Sequence, residues 1–234
     1  ADEVFGGYPW FNREELVNAD TFPWSRSVRL RESWLLPHVR DALALPEYVA
    51  QRYRESLAEV PLLPGEPPRE RRMREIAYLN LTWFMVTLLN RKDRMSMASG
   101  LEVRVPFCDH RLVEYVWNVP WEMKACDGRE KGLLRRALRG VLPDEVLYRK
   151  KNPYPKTHNP EYLETVRRWT LDILSRDNSP LAQLVDVAAI RDMAYEPRAF
   201  DQPWYGQLMT GPQFFAYLIE IDTWLREYGV NVRL

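Results

Sequence analysis

The chain has 234 residues, in which 33 Lys and Arg balance 33 Asp and Glu, and 46% of it is hydrophobic. That length can bury a real core, as one large domain or two small ones. Zero net charge excludes a nucleic-acid binder driven by overall charge, and 12% aromatic residues exclude a disordered chain. Two cysteines, Cys108 and Cys126, are too few for a disulfide scaffold or a four-cysteine zinc site. They read as small buried hydrophobes of a reducing compartment, so a cytoplasmic location is expected. No run reaches the roughly 18 apolar residues of a membrane helix. The longest candidate, Leu79 to Leu89, is broken by Asn80 and Thr82.

In chain order, the first residues, Ala-Asp-Glu-Val-Phe-Gly-Gly-Tyr, carry neither an initiator Met nor a signal peptide and read as the interior of something longer. A fragment is the expectation. Helical periodicity then dominates. A helix is expected over Pro46–Val60, and a long one over Arg69–Arg91, with Ile76, Leu79, Trp83, Val86 and Leu89 on one face. The breakers of Pro61–Pro68 form a surface connection between them. Met85, Met95, Met97 and Trp83 are expected to pack in the core.

Strand signal is nearly absent. Leu101-Glu-Val-Arg-Val-Pro-Phe107 alternates, placing Leu101, Val103, Val105 and Phe107 on one side and Glu102 and Arg104 on the other. Pro106 limits it to an edge strand or an extended loop. Shorter helices are expected at Asp109–Asn118, Lys131–Val141, Asp144–Arg149 and Asp186–Tyr195.

Two apolar stripes are the clearest helices. Tyr162, Leu163, Val166, Trp169, Ile173 and Leu174 follow an Asn159 N-cap and a proline at the first helical position. Phe214, Tyr217, Leu218, Ile221, Trp224, Leu225 and Tyr228 follow Gly211-Pro212, with Gly229 as a left-handed stop. A second breaker cluster, Glu196–Pro212, precedes that last helix as another surface connection. The fold class is therefore mainly α.

Charge is uneven locally. Arg129 to Lys156 holds nine basic residues against Glu130, Asp144 and Glu145, an excess of six positive charges. The first twenty residues set Asp2, Glu3, Glu14, Glu15 and Asp20 against Arg13. Carboxylates facing ammonium groups fit a metal–phosphate site, and they equally fit ordinary solvated helix faces. His38, His110 and His158 show no metal-ligand spacing and are expected at the surface or in capping roles.

Several segments carry a family resemblance. Asp2-Glu-Val-Phe-Gly-Gly-Tyr8 resembles the segment after the Gly-Glu-Gly signature of glutamine-dependent asparagine synthetases. Asp93-Arg-Met-Ser-Met97 with Gly100-Leu-Glu-Val-Arg-Val-Pro-Phe-Cys-Asp109 is similar to the next block. Lys131-Gly-Leu-Leu-Arg135 and Val146-Leu-Tyr-Arg-Lys-Lys151 are similar to the last two. Order and rough spacing match, and the likeness extends to Trp204–Trp224.

The resemblance implies that residues 1–234 are the C-terminal portion of a synthetase domain, the helical later part of an α/β nucleotide-binding fold whose parallel sheet lies upstream. It implies ATP and Mg²⁺ as cofactors. Aspartate would be activated as an acyl-adenylate and amidated by ammonia released from glutamine. The Ser-Gly-Gly-x-Asp-Ser phosphate loop, the Gly-Glu-Gly glutamate and the glutaminase N-terminal cysteine are not in this sequence. The partners implied are therefore the missing glutaminase and nucleotide-binding segments, and this piece alone is expected to be inactive. Neither nucleic acid nor membrane is expected as a partner, and a homo-oligomer stays open.

Residue by residue, the resemblance places Asp2 at the Mg²⁺ carboxylate and Lys151 at the lysine near the acyl phosphate, with Lys150 as its alternative. Lys131 and Arg135, four apart and so on one helix face, would lie near the nucleotide. Glu102 would be an acid–base partner in a proton relay, or half of a buried structural pair with Arg104. Two other readings stay open: a related synthetase forming an amide or lactam on another carboxylate, and a non-catalytic helical module whose interface is Trp204-Tyr205.

Overall fold

In the computed structural model the described residues are 1–25, 28–151, 159–196 and 210–233. Lys156, His158 and the Trp204-Tyr205 pair lie outside them. The helices in chain order are α1 (Asp2–Phe5), α2 (Glu14–Val17), α3 (Arg29–Glu32), α4 (Pro37–Leu43), α5 (Leu45–Ala58), α6 (Pro68–Leu79) and α7 (Met85–Ala98). They continue with α8 (His110–Trp117), α9 (Trp121–Lys124), α10 (Gly132–Ala137), α11 (Asp144–Leu147), α12 (Pro160–Leu174), α13 (Val187–Tyr195) and α14 (Gly211–Glu227). No strand forms among the described residues, only two isolated bridges. The chain is mainly α, as its periodicity demands.

Two compact units result, one from residues 1–24 and 52–152, the other from 25–51 and 153–234. In the second, α12 and α14 pack along their apolar stripes. Ile173, Phe214, Phe215 and Leu218 are fully buried there, and the Thr170 hydroxyl donates to the carbonyl of Phe215 at 3.3 Å. Local chemistry sets the helix ends. Asn159 accepts from the Glu161 N–H at 2.9 Å, and Asp186 accepts from the Ala189 N–H at 2.9 Å. Gly229 stops α14 in the left-handed region at φ +59, its N–H on the carbonyl of Arg226. Trp169 and Trp224, assigned to the stripes, are about half exposed. Both stand at the flank of a face whose centre is already filled.

The first unit is built around one long helical run. α6 and α7 are joined by a five-residue π turn, Asn80–Phe84, so helix extends without break from Pro68 to Ala98. The turn adds a residue to the helical repeat and rotates the downstream face. Ile76 and Leu79 are fully buried as expected, but Trp83 and Val86 are over a third exposed. Met95 and Met97 are exposed too, which corrects their assignment to the core, and α7 buries no residue at all. Asn80, inside the turn, is fully buried and accepts from the Trp10 indole N–H at 3.3 Å.

Trp10, Phe11, Leu16, Val17, Met73 and Ile76 form one core of this unit, and Val4, Phe5 and Val116 a second. Leu101–Val105 is an exposed extended loop rather than an edge strand, entering a 3₁₀ turn at Pro106–Cys108. The loop Pro61–Pro67 is at the surface, where buried Glu66 ion-pairs with buried Arg74 at 2.8 Å. Cys108 and Cys126 are half-buried free thiols, and His38 and His110 are exposed.

Lys124 at the end of α9 is 8% exposed. Burial first, and the nearby Arg74 charge second, push its pKa down to about 8, against an attraction from Glu70. A lysine whose folded pKa is depressed costs stability while it is charged, and that cost is relieved as pH rises from about 8 toward 10.5. Lys124→Met is therefore expected to raise stability at pH 7 by on the order of 1 kcal/mol. In urea titrations the gain should shrink between pH 8 and 10; a variant destabilised at pH 7 contradicts the assignment.

Candidate functional site

The acidic start and the basic stretch meet in the first unit at Asp2. Its Oδ1 lies 3.0 Å from the Lys131 ammonium and 3.0 Å from that of Lys151. One carboxylate oxygen thus bridges two cations carried by distant segments. Lys151 also donates to the carbonyl of Gly7 at 2.9 Å, and its Nζ sits 4.4 Å from the centre of the Tyr8 ring. Burial by itself would raise the Asp2 pKa. The ion pairs with Lys131 and then Lys151 outweigh that, and the carboxyl ends below its ordinary value.

The Gly6-Gly7 doublet makes this arrangement possible. Gly6 ends the single turn of α1 at φ +72, a conformation open to glycine without strain. A Cβ on Gly7 would lie 1.7 Å from Asp2 Oδ1, inside the space that the carboxylate occupies. In the sequence the doublet carries one signal, its position directly after the acidic pair Asp2-Glu3.

Lys131 is held at the entrance of α10 in the left-handed region, φ +56, which is uncommon for a residue with a Cβ. Gly132 follows because a Cβ there would meet the Cys126 carbonyl at 2.1 Å. Lys131 therefore stands outside α10 proper, and its side chain turns to Asp2 while that of Arg135 turns to Glu130. Arg135 is half-buried and turned elsewhere, donating to the carbonyls of Glu130 and Leu147 and pairing with the Glu130 carboxylate at 3.0 Å. Arg129, Arg135 and Arg139 line a cavity of about 80 Å³ beside Gly132 and Tyr148.

Lys150 and Lys151 are both exposed residues, and of the two it is Lys151 whose side chain, 33% exposed, turns to Asp2. Glu102 is paired with Arg104 at 2.9 Å on the exposed loop, with side-chain exposures of 64% and 84%. The pair exists, but it is not buried. Glu3 accepts from the Tyr8 hydroxyl at 2.6 Å. Among the described residues no three His, Cys, Asp or Glu side chains gather to hold a metal. Asp2 supplies one carboxylate, which suits a Mg²⁺ that takes its remaining ligands from phosphates and water.

Because Asp2 is depressed, its contribution to stability is complete above about pH 4 and is lost as pH falls through its folded-state pKa. Asp2→Asn should cost about 0.5–1 kcal/mol at pH 7, with the deficit closing below pH 4 in thermal melts of the chain. Gly7→Ala should cost at least as much at pH 7, since its methyl group displaces the same carboxylate.

The same region carries the similarity to known proteins. The asparagine synthase family model matches residues 1–226. Glutamine-hydrolysing asparagine synthetase 3 of Bacillus subtilis is 52% identical over 99% of this chain and 38% of its own length. The Gallus gallus glutamine-hydrolysing asparagine synthetase is 43% identical over 59% of this chain and 24% of its own. Glutamine-hydrolysing asparagine synthetase 1 of Bacillus subtilis is 34% identical over 42% of this chain and 16% of its own. The chain thus spans little more than a third of the longest-matching of these relatives. Since the family match runs from Ala1 to Arg226, through the carboxylate and both lysines that meet it, the chain belongs to the asparagine synthase family.

Proposed function

We propose that this chain forms the C-terminal, helical portion of the synthetase domain in a glutamine-hydrolysing asparagine synthetase. In this reading ATP reacts with the aspartate side-chain carboxylate to give an acyl-adenylate and pyrophosphate. Ammonia released from glutamine then displaces AMP to give asparagine. The observation that carries it is the Asp2–Lys131–Lys151 cluster inside the matched region. One carboxylate against two ammonium groups leaves a surplus positive charge, which suits a polyphosphate.

When bound, Mg²⁺ would neutralise phosphate charge, and Asp2 is the residue here to hold it. Lys151 is a compact point charge on a flexible stem, fit to follow oxygens whose charge changes during reaction. Lys131, on the same oxygen of Asp2, holds phosphate oxygens with it, and Arg135 and Lys150 contribute to the field around the nucleotide. Glu102, tied to Arg104, takes the proton-relay role. The exposed apolar side chains of α7 and of Leu101, Val103 and Val105 suit a surface covered by the sheet-bearing remainder of the domain. Without the Ser-Gly-Gly-x-Asp-Ser loop this piece by itself does not turn over.

In the full-length synthetase, Lys151→Ala should lower turnover about 100- to 1,000-fold, the usual loss for a preorganised donor to developing charge. Lys150→Ala should change it little. Pyrophosphate release at saturating ATP and aspartate reads both, with thermal melting as the control for folding. Greater damage from Lys150→Ala would overturn the choice of lysine, and normal turnover in both variants would overturn the site.

A further inference from the structure

The geometry points to Tyr8 as the residue that positions Lys151, acting through the face of its ring. This rests on the catalytic reading of Lys151 given above. The Lys151 ammonium has three donors, and three groups meet it: the Asp2 carboxylate at 3.0 Å, the Gly7 carbonyl at 2.9 Å and the Tyr8 ring at 4.4 Å. Of the three, the ring is the one that carries no formal charge and is part of no peptide bond. It fixes where the ammonium rests and leaves its charge unneutralised.

Tyr8 is itself held on every side. Its hydroxyl donates to Glu3 at 2.6 Å, and its ring stacks on Trp10 with centroids 4.4 Å apart and planes 18° apart. The Phe84 ring packs against it nearly at right angles, with planes 79° and centroids 5.1 Å apart. Trp10 is in turn tied to Asn80, fully buried in the π turn. A rigid aromatic platform therefore runs from the irregular part of the long helix to the lysine. Trp10 and Phe11 already give this unit its core. Presenting a ring face to a partly exposed ammonium is a further task, and the stacking on Trp10 fixes the angle of that face.

Two experiments test this. In the chain labelled with ¹³C-lysine, the ε-methylene signal of Lys151, assigned by its absence in Lys151→Arg, should lie upfield from ring current. Tyr8→Phe should retain that shift and Tyr8→Leu should abolish it. In the full-length synthetase, Tyr8→Leu should lower kcat about 3- to 30-fold, the range a cation–π contact spans, with KM for ATP within twofold. Tyr8→Phe should recover most of the rate. Tyr8→Leu removes core packing as well. Pentafluorophenylalanine at position 8 keeps the ring's shape and reverses its quadrupole, so it should reproduce the loss in kcat where Phe does not.

A pentafluorophenylalanine protein as fast as Tyr8→Phe overturns the proposal, as does an unshifted Lys151 signal in the unmodified chain. The catalytic reading of Lys151 fails separately, when Lys151→Ala itself turns over normally while the ring-current shift is present. If Lys151→Ala is inactive and Tyr8→Leu loses the shift but keeps its kcat, the catalytic reading stands and the positioning role is refuted.

Discussion

A single carboxylate oxygen ties three distant segments of the first unit together. Asp2 lies on the one-turn helix α1, Lys131 at the entrance to α10, and Lys151 just beyond α11. None of these elements is long enough to be stable on its own, since isolated helices shorter than about a dozen residues are marginal in water. Each is fixed by what it touches. Val4 and Phe5 bury α1 against α8, and that seating aims Asp2 where both ammonium groups reach it. The ion pairs then close the circle, because without the carboxylate two like charges would face each other in a half-buried space.

The backbone around this oxygen is shaped to admit it. Gly6 turns the chain through a left-handed conformation, Gly7 leaves the volume that Asp2 fills, and Gly132 lets the chain before α10 press on Cys126. Lys131 is held in the left-handed region next to that glycine. Strain of this kind persists only where the surroundings over-determine it, and it concentrates where side chains must be aimed. Here the side chain that it aims is one of the two lysines on Asp2. The π turn at Asn80 plays a comparable part at longer range, spending one residue of regular helix to place a buried amide against Trp10.

Much of this is legible in the sequence, and the parts that are not have definite causes. The helices α12 and α14 follow directly from apolar period, caps and prolines, because the pattern and the local chemistry agree there. The meeting of the acidic start with the basic stretch is visible as charge, and the family's motifs single out Asp2 and Lys151. The pairing of Lys131 with Arg135 on one face fails, because Lys131 sits outside the helix in a left-handed conformation that no propensity indicates. Trp83, Met95 and Met97 are misjudged because a π turn is invisible to a 3.6-residue count, and it swings the downstream face away from the core. The roles of Gly7 and Tyr8 depend on space and ring orientation, which composition does not carry.

Charge balance decides how the cluster can be used. Two ammonium groups on one carboxylate are over-supplied by one positive charge, and the nearby arginines add to the surplus, although Glu130 and Asp127 offset several of them. A carboxylate so held cannot be protonated near neutral pH, so it is available as an anionic ligand wherever the fold works. The lysines are different, for each can leave Asp2 by rotating its stem without moving the backbone. A phosphate arriving in this space would exchange one anionic partner for another, and the surplus charge favours that exchange over bare solvent. On the proposed reading, Asp2 would then be free to hold a divalent cation carried with the phosphates, and one carboxylate fits Mg²⁺, which takes its other ligands from phosphate oxygens and water.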